Sequence, residues 1–566
     1  MVIITMKVFE NKSCHRALFP AVYSGATALL LLSSYSYGQA QPQLAQPQLA
    51  QPQFAQSPLA QGGQVSPNAT GAGGWRIIPR MNLRETYSDN VRLRPEGDER
   101  ADFVTQINPG ISVTGIGRRF NVSANYTMNN LIYAEQSNFT RSRHQLNATA
   151  TAELVENLFF VDGRATMAQQ NVSLLGPQAL DNINVTGNRA DIRTYTVSPY
   201  LRHRFKDFAS TEVRYTHGIV ESSANGLRNS QRDSYQFSLN SGEAFRTLNW
   251  GFNYSNQMIH FDRSNRTIEL ERSVANLRYL VTPLFGLTAA GGYERNSFIS
   301  IRGNPSSPTW TVGFTWQPSE RTSVVANAGQ RFFGDTYFAL ATHRTRLTAW
   351  DVSYIEDITT FNQQAGAFGG AGGLGGAGGL GGTGGFGGAG GAGGAGGAGG
   401  LGGDGSFLGQ GLSGDPLNFL TNRLFLQKRL QASVTMNGAS NTVVFRIFNM
   451  SRLAYTGDDV DVDLIGAGNL ALLRNTRQTG ANALWSYRIS PLTRANLGAQ
   501  FTRFRFLSTD REDDHKIIRL SVTRQLRQAQ PNLNGMIELR HNQRDSNQAG
   551  ADYRENAVTA SLNMSF

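Results

Sequence analysis

AVTASLNMSF, residues 557–566, is the stretch that decides the fold. Val558, Ala560, Leu562, Met564 and Phe566 fall on one face of a strand. Thr559, Ser561, Asn563 and Ser565 fall on the other. This is period-two alternation, apolar to one side and small and polar to the other, carried to a terminal aromatic residue. Two architectures end this way: a β-sandwich with an edge strand, and a barrel whose apolar face meets lipid. One strand does not separate them.

The same pattern recurs upstream. Val122, Ala124, Tyr126 and Met128 oppose Asn121, Ser123, Asn125 and Thr127, and Tyr235, Phe237 and Leu239 oppose Gln236, Ser238 and Asn240. Leu248, Trp250, Phe252 and Tyr254 share a face, as do Trp310, Val312, Phe314 and Trp316, and Ala483, Trp485, Tyr487 and Ile489. The polar face is Asn, Ser, Thr and Gly, which suits a wet lumen. The apolar face is rich in aromatics, which suits the membrane interfaces.

The connections alternate short and long. Segments 114–119, 155–157, 204–207, 317–320, 490–493 and 528–532 are tight, and 87–101, 171–189, 221–232, 296–308, 455–476 and 544–555 are long and polar. A sandwich has no reason to keep that parity, whereas an outer-membrane barrel has short periplasmic turns and long extracellular loops. The fold expected is all-β: a transmembrane, antiparallel, up-and-down outer-membrane β-barrel of about 20–22 strands. Its closing strand, with Val558, Ala560, Leu562, Met564 and Phe566, is the expected signal to barrel-assembly machinery, and its outer face meets outer-membrane lipid.

The amino terminus agrees with export to that membrane. Lys7, Lys12 and Arg16 precede an apolar run over 17–32, and Gly38 and Ala40 are small residues before a cleavage, so 1–40 reads as a signal peptide. Cys14, the single cysteine, leaves with it, so the mature chain offers no disulfide or thiolate metal site. QPQLA repeats and small residues over 41–74 read as a disordered linker. The barrel then occupies 75–566.

Residues 361–416 form a glycine-rich, low-complexity insertion, read either as a flexible tether or as a binding segment. Counting strands from Trp75 makes the one near Glu356 run toward the periplasm, and counting back from Phe566 makes 430–437 do the same. That predicts that 361–429 brings the chain up again, either as a strand over 418–427 or by threading the lumen.

No catalytic constellation can be assembled. HExxH, CxxC and GxSxG are absent, no cofactor motif is present, and the chain reads as non-enzymatic. DDVDVD at 458–463 is half of a calcium loop without its glycine and glutamate, and reads as a solvated acidic face. No metal site follows from it. The formal charge of +11 comes without a basic helix or aromatic platform, so nucleic acid is not a partner.

WRIIPRMNLRETYSDNVRL at 75–93 resembles the opening strand of the outer-membrane barrels that accompany exosortase, or PEP-CTERM, sorting systems, with Glu85, Thr86, Tyr87, Asp89 and Asn90 matching their ETYxDN pattern. YIEDITT at 354–360 and FLQKRLQASVTMNGASNTVVF at 425–445 also resemble that family. The resemblance implies the outer membrane of a Gram-negative bacterium and a role in export or assembly of exopolysaccharide and sorted surface proteins. Its partners would be acidic polysaccharide or export-system components. It supplies no catalytic residue. From the residues themselves, Asp89 and Asn90 read as turn formers at a strand end.

Alternation puts Arg164, Arg202, Arg214, Arg278, Arg446, Arg488, Arg519, Arg527 and Arg540 on the lumen face, against Glu153, Asp162, Glu212 and Glu538. Such a lumen prefers anions, or its arginines stiffen the wall by pairing. A general porin or anion-preferring channel, and a structural barrel sheathing a periplasmic or electron-transfer partner, are the other readings. A TonB-dependent transporter is disfavoured, because 39–74 is too short and too polar for a folded plug.

Overall fold

The structure is a computed structural model. It describes residues 74–360 and 421–566, apart from 225, 228, 263–265, 462–468, 470, 471 and 530. The expected signal peptide at 1–40, the glycine-rich stretch 361–416 and, apart from Gly74, the expected linker at 41–74 lie outside the described residues.

Among the described residues the chain forms 22 strands. The first eleven are β1 (Trp75–Ser88), β2 (Asp102–Ile116), β3 (Phe120–Tyr133), β4 (Arg141–Val155), β5 (Phe159–Asn171), β6 (Arg189–Phe205), β7 (Ala209–Ser222), β8 (Ser230–Ser241), β9 (Leu248–Phe261), β10 (Arg266–Thr282) and β11 (Phe285–Asn296). Then come β12 (Ser307–Ser319), β13 (Thr322–Arg331), β14 (Gly334–Arg344), β15 (Thr348–Thr359), β16 (Phe425–Asn437), β17 (Asn441–Ala454), β18 (Asn475–Ser490), β19 (Thr493–Phe506), β20 (Arg511–Arg527), β21 (Asn532–Ser546) and β22 (Tyr553–Ser565). Each pairs antiparallel with the next, and β22 returns to β1 from Ser88↔Ala557 to Arg80↔Ser565. The sheet closes on itself, which removes the unpaired edges that a bilayer does not tolerate.

The outer face explains the alternation. Trp310, Val312 and Trp316 on β12 are about half exposed, and Leu287 on β11 and Tyr337 on β14 continue the band. Apolar side chains left in the open around a closed sheet are a lipid-facing surface, and the chain is an outer-membrane barrel. Phe566 stands at the rim beyond β22, exposed, with its amide donating to Pro79 O at 3.0 Å.

Turns at one rim are tight: 117–119, 206–208, 283–284, 345–347 and 438–440 are examples. Asn157 and Lys206 take positive φ there, at 55° and 48°. This is the periplasmic rim, where β1 begins and β22 ends. Connections at the opposite, extracellular rim are mostly long, but not all. β13 and β14 turn there on Phe332 and Phe333, with Gly334 at φ 104°.

That hairpin overturns the expected strand parity. β15 runs outward and β16 runs back, pairing from Thr359↔Phe425 at the extracellular end to Thr348↔Met436. No upward crossing between them is needed, and Phe425, Leu426 and Gln427 belong to β16 itself. Two aromatics make a poor turn signal, so the β13–β14 reversal is nearly invisible in sequence.

The extracellular third is not a continuous cylinder. β14 and β15 pair only from Arg344↔Ala349 to Ala339↔Tyr354. The same register would next join Phe338 to Ile355 and Tyr337 to Glu356, and neither pair forms. The outer end of β15, still paired with β16 and through it with β17, instead curls across the mouth. Ile358, Leu424, Leu426 and Tyr455 pack there against Ile259 and Phe261 of β9, Ile268 and Leu270 of β10, and Phe298, with Phe332 and Phe333 alongside.

Candidate functional site

A barrel of 22 strands encloses a lumen too wide for wall side chains to fill. Among the described residues two features cross its extracellular side: the curled end of β15 with β16 and β17, and segment 172–188 between β5 and β6.

Segment 172–188 crosses the lumen. Leu174 reaches the far wall and packs with Phe425 of β16, Ala454 of β17 and Phe504 and Phe506 of β19. Ile183 sits with Val91, Val104, Leu131 and Tyr133. Backbone groups, which need partners once buried, find them on the wall. Arg544 donates to Gly176 O at 2.8 Å, Arg511 to Leu175 O at 3.1 Å and the Tyr133 hydroxyl to Ile183 O at 2.8 Å. Val185 N donates to Val91 O at 2.8 Å.

Asp181 is the centre of this latch. Its carboxylate accepts from Arg84 of β1 at 2.7 Å and Arg540 of β21 at 3.2 Å. Arg540 also donates to Glu555 of β22 at 3.0 Å, and Asn184 reaches the same oxygen at 2.7 Å. All are buried. Burial opposes the charge on Asp181, but Arg84, Arg540, Arg519 and the Asn182 amide outweigh it and hold the carboxyl at about 2. A second knot lies beside it: Asp513 accepts from Arg544 at 2.6 Å and Arg511 at 3.1 Å.

The curled strands carry their own fastenings. Arg331 bridges Glu294 at 2.7 Å and Asp357 at 3.3 Å, tying β15 to β13 and β11 on the lumen side. Ile301 N donates to Tyr455 O at 2.9 Å, and Tyr455 stands edge-on to Phe332 with ring centroids 6.0 Å apart. Asp461 is buried, pairs with Arg423 at 3.0 Å and accepts from Thr421 at 2.6 Å. Burial pushes its carboxyl above the ordinary range, against the pull of Arg423. This corrects the reading of the acidic run as a solvated face, at least for Asp461. Among the described residues no group of acidic, histidine or cysteine side chains is arranged to hold a metal.

The periplasmic half of the lumen is different. Arg214 donates to Asp162 at 2.8 Å and Glu212 at 3.0 Å, and lies 3.8 Å over the ring of Tyr200. Arg202 pairs with Glu212 at 2.8 Å and stays exposed. Arg488 donates to Ala439 O at 2.8 Å. Arg278 has no hydrogen-bond or ion-pair partner among the described residues. Arg164 and Arg446 line the same half by register. Arg527 lies at the bulged periplasmic end of β20. Arg519 and Arg540 belong to the latch instead.

Two expectations need correction. The lumen face is not only small and polar, since Ile259, Phe261, Ile268 and Leu270 share it near the mouth. Nor are Glu153, Asp162, Glu212 and Glu538 its only strand carboxylates: Glu294, Asp513 and Glu555 face arginines there. Asp181 lies in a segment whose length and polar residues predict an exposed loop. Its signal was composition: Leu174, Leu175, Leu180, Ile183 and Val185 are too many aliphatics for a solvated connection.

The ETYSDN stretch ties β1 to β2 through Glu85 and Tyr87 and, across the barrel's closing seam, to β22 through Thr86 and Asp89. Glu85 accepts from Thr105 at 2.7 Å, Tyr87 lies 4.9 Å from Phe103, and Thr86 contacts Thr559 at 3.0 Å. Asp89 accepts from the amide and side chain of Asn556, each at 2.7 Å. Asn90 is fully buried, donates to Arg94 O and Arg554 O, and accepts from Arg94 N. Asn90 is thus a turn former; Asp89 is a clamp onto β22.

No family model matches the chain, and no curated protein matches it. Solved structures that match include the siderophore receptor PirA from Pseudomonas aeruginosa, 11% identical over 87% of this chain and 80% of that one, with a TM-score of 0.41. The FrpB iron transporter from Neisseria meningitidis (F3-3 variant) is 10% identical over 86% and 81%, with a TM-score of 0.45. Acinetobacter baumannii OccAB1 is 7% identical over 87% and 96%, at 0.32. Likeness at this level carries no argument about what this chain binds or moves.

Proposed function

We propose that this barrel is a gated, non-enzymatic passage for acidic polymers across the outer membrane, serving exopolysaccharide export of the exosortase-associated kind. The observation that carries the reading is the contrast within one lumen: a mouth held shut by segment 172–188 through Asp181, above a periplasmic half lined with arginines. Guanidinium groups stay charged in any surroundings, and a ring of them in a confined pore attracts anions. An acidic chain entering from the periplasm would compete for Arg84 and Arg540 with the Asp181 carboxylate, which gives the passenger a way to release the latch.

The resemblance to exosortase-associated barrels supports the same reading. Its three stretches fall on the clamped β1, on the curled end of β15, and on β16 with its turn into β17. They are the parts that hold the wall closed and the parts that cover the mouth.

The test is planar-bilayer recording in a potassium chloride gradient. Replacing 174–184 with a short Gly-Ser linker should raise conductance and give a reversal potential favouring chloride. Adding Arg278→Glu, Arg446→Glu and Arg488→Glu should shift it toward potassium. Unchanged conductance after the replacement would remove the gate, and an unmoved potential in the triple variant would remove the anion path.

A further inference from the structure

The outside of the barrel carries a site that the passage does not use. An apolar groove of about 720 Å³ runs over the lipid face from β20 to β2. Val522 and Leu526 of β20, Ile537 of β21, Leu562 of β22, Leu83 of β1 and Ile107 of β2 line it, together with Glu85, whose carboxylate accepts from Thr105 at 2.7 Å. Gly535 makes its floor: a Cβ there would stand 3.2 Å from Leu526 Cδ1.

Arg524 lies at one end. It pairs in register with Gly535 on one side and with Thr493, the first residue of β19, on the other, so it stands at the periplasmic rim. Alternation along β20 places it on the lipid face with Leu520, Val522 and Leu526, in an otherwise aliphatic row. It is exposed, and it has no hydrogen-bond or ion-pair partner among the described residues. Arginine at this depth extends its head into the interface, and its planar fork suits phosphate oxygens in pairs.

We propose that this groove holds one glycerophospholipid of the periplasmic leaflet. Its phosphate sits on the Arg524 guanidinium, and an acyl chain lies along Val522, Ile537, Leu562 and Leu83. The charge is at the rim and the apolar lining leads from it toward the bilayer interior, which is the order of groups in a phospholipid. A lipid of the extracellular leaflet would present its phosphates at the opposite rim, away from Arg524. The lipid would brace the closing strands β20, β21, β22 and β1 from outside, behind the wall that receives the Asp181 latch.

The test is native mass spectrometry of the full barrel in mild detergent, titrated with phosphatidylglycerol. Wild type should bind one lipid tightly. Arg524→Gln should weaken it about tenfold, the loss of roughly one charge-assisted contact. Gly535→Leu should do the same by filling the floor, with Gly535→Ala as the milder variant if leucine prevents folding. Arg346→Gln, in a turn of the same rim, should bind as wild type does. Heat-modifiable migration shows that each variant is folded. Equal lipid retention by Arg524→Gln and wild type would overturn the proposal, and so would displacement of the lipid by millimolar inorganic phosphate, which would make this an anion site only.

Discussion

Arg540 and Arg278 both sit on the lumen face of this barrel, and alternation assigns them alike. Their surroundings are opposite. Arg540 is buried between Asp181 and Glu555, and tied to both. Arg278 stands in the periplasmic half without a partner among the described residues. The period of a strand tells which face a residue takes, and it says nothing of what another part of the chain lays over that face. Here segment 172–188 makes the difference.

The sharpest way to break this comparison is to remove each arginine. Arg540→Ala would leave two buried carboxylates short of a cation, which should cost about 3–5 kcal/mol. Arg278→Ala should change stability by no more than about 0.5 kcal/mol. Denaturant refolding titrations of the two variants should show this gap, and equal losses would mean that the two halves are not distinct.

The lipid and lumen faces of one strand offer the next contrast. Phe314→Arg, on the lipid face of β12 between Trp310 and Trp316, should cost about 2–4 kcal/mol near the bilayer midplane. Thr315→Arg, facing the lumen, should cost much less in the same titration. Equal costs would reverse the face assignment for β12.

Acid should weaken the latch. The Asp181 carboxyl titrates at about 2 when latched, below the ordinary aspartate value of about 3.9. A depressed value means that the latched state favours the ionised form. That contribution, about 2–3 kcal/mol by linkage, is complete above roughly pH 4 and is lost as pH falls toward 2. Conductance should therefore rise between about pH 4 and 2, and Asp181→Asn should flatten that rise. An identical acid profile in Asp181→Asn would place the sensitivity elsewhere.

The two seams of the wall give the smallest expected effect. β1 and β22 are fastened to their extracellular ends by Asp89 and Asn90, whereas β14 and β15 part beyond Tyr354. Asn90→Ala should cost about 1–2 kcal/mol, because it removes the three hydrogen bonds that this buried side chain makes to the backbone of Arg94 and Arg554. Phe566→Asp should lower the yield of folded protein in outer-membrane fractions, measured by heat-modifiable migration, if the terminal aromatic directs assembly.

Much of the wall was legible from residues. Alternation such as Leu248 to Tyr254, tight turns such as 283–284 and the terminal Phe566 led to a barrel, because lipid and water on opposite faces leave a period of two in every strand. The count faltered at Phe332 and Phe333, where a reversal needs only Gly334 and leaves no polar turn. The mouth was less legible. Asp181, Glu555 and Arg84 are far apart in sequence, and only the folded path of segment 172–188 joins them. The curl of β15 was also hidden, since its residues alternate as a wall strand does while both faces of Ile358 and Asp357 are covered. What could be read there was composition, in the aliphatic residues of a connection that had no reason to carry them.

The central claim is that the lumen is sealed from outside and open to the periplasm. The described residues contain no cysteine, and the chain's single one, Cys14, lies in the stretch that reads as a signal peptide, so a thiol test needs no substitution within the barrel. Arg278→Cys, exposed to a small membrane-impermeant maleimide, measures access directly. Intact cells should show no labelling, and cells with a permeabilised outer membrane should label fully. Adding Arg540→Gln to loosen the latch should restore labelling in intact cells. Full labelling of Arg278→Cys alone in intact cells would contradict the closed mouth.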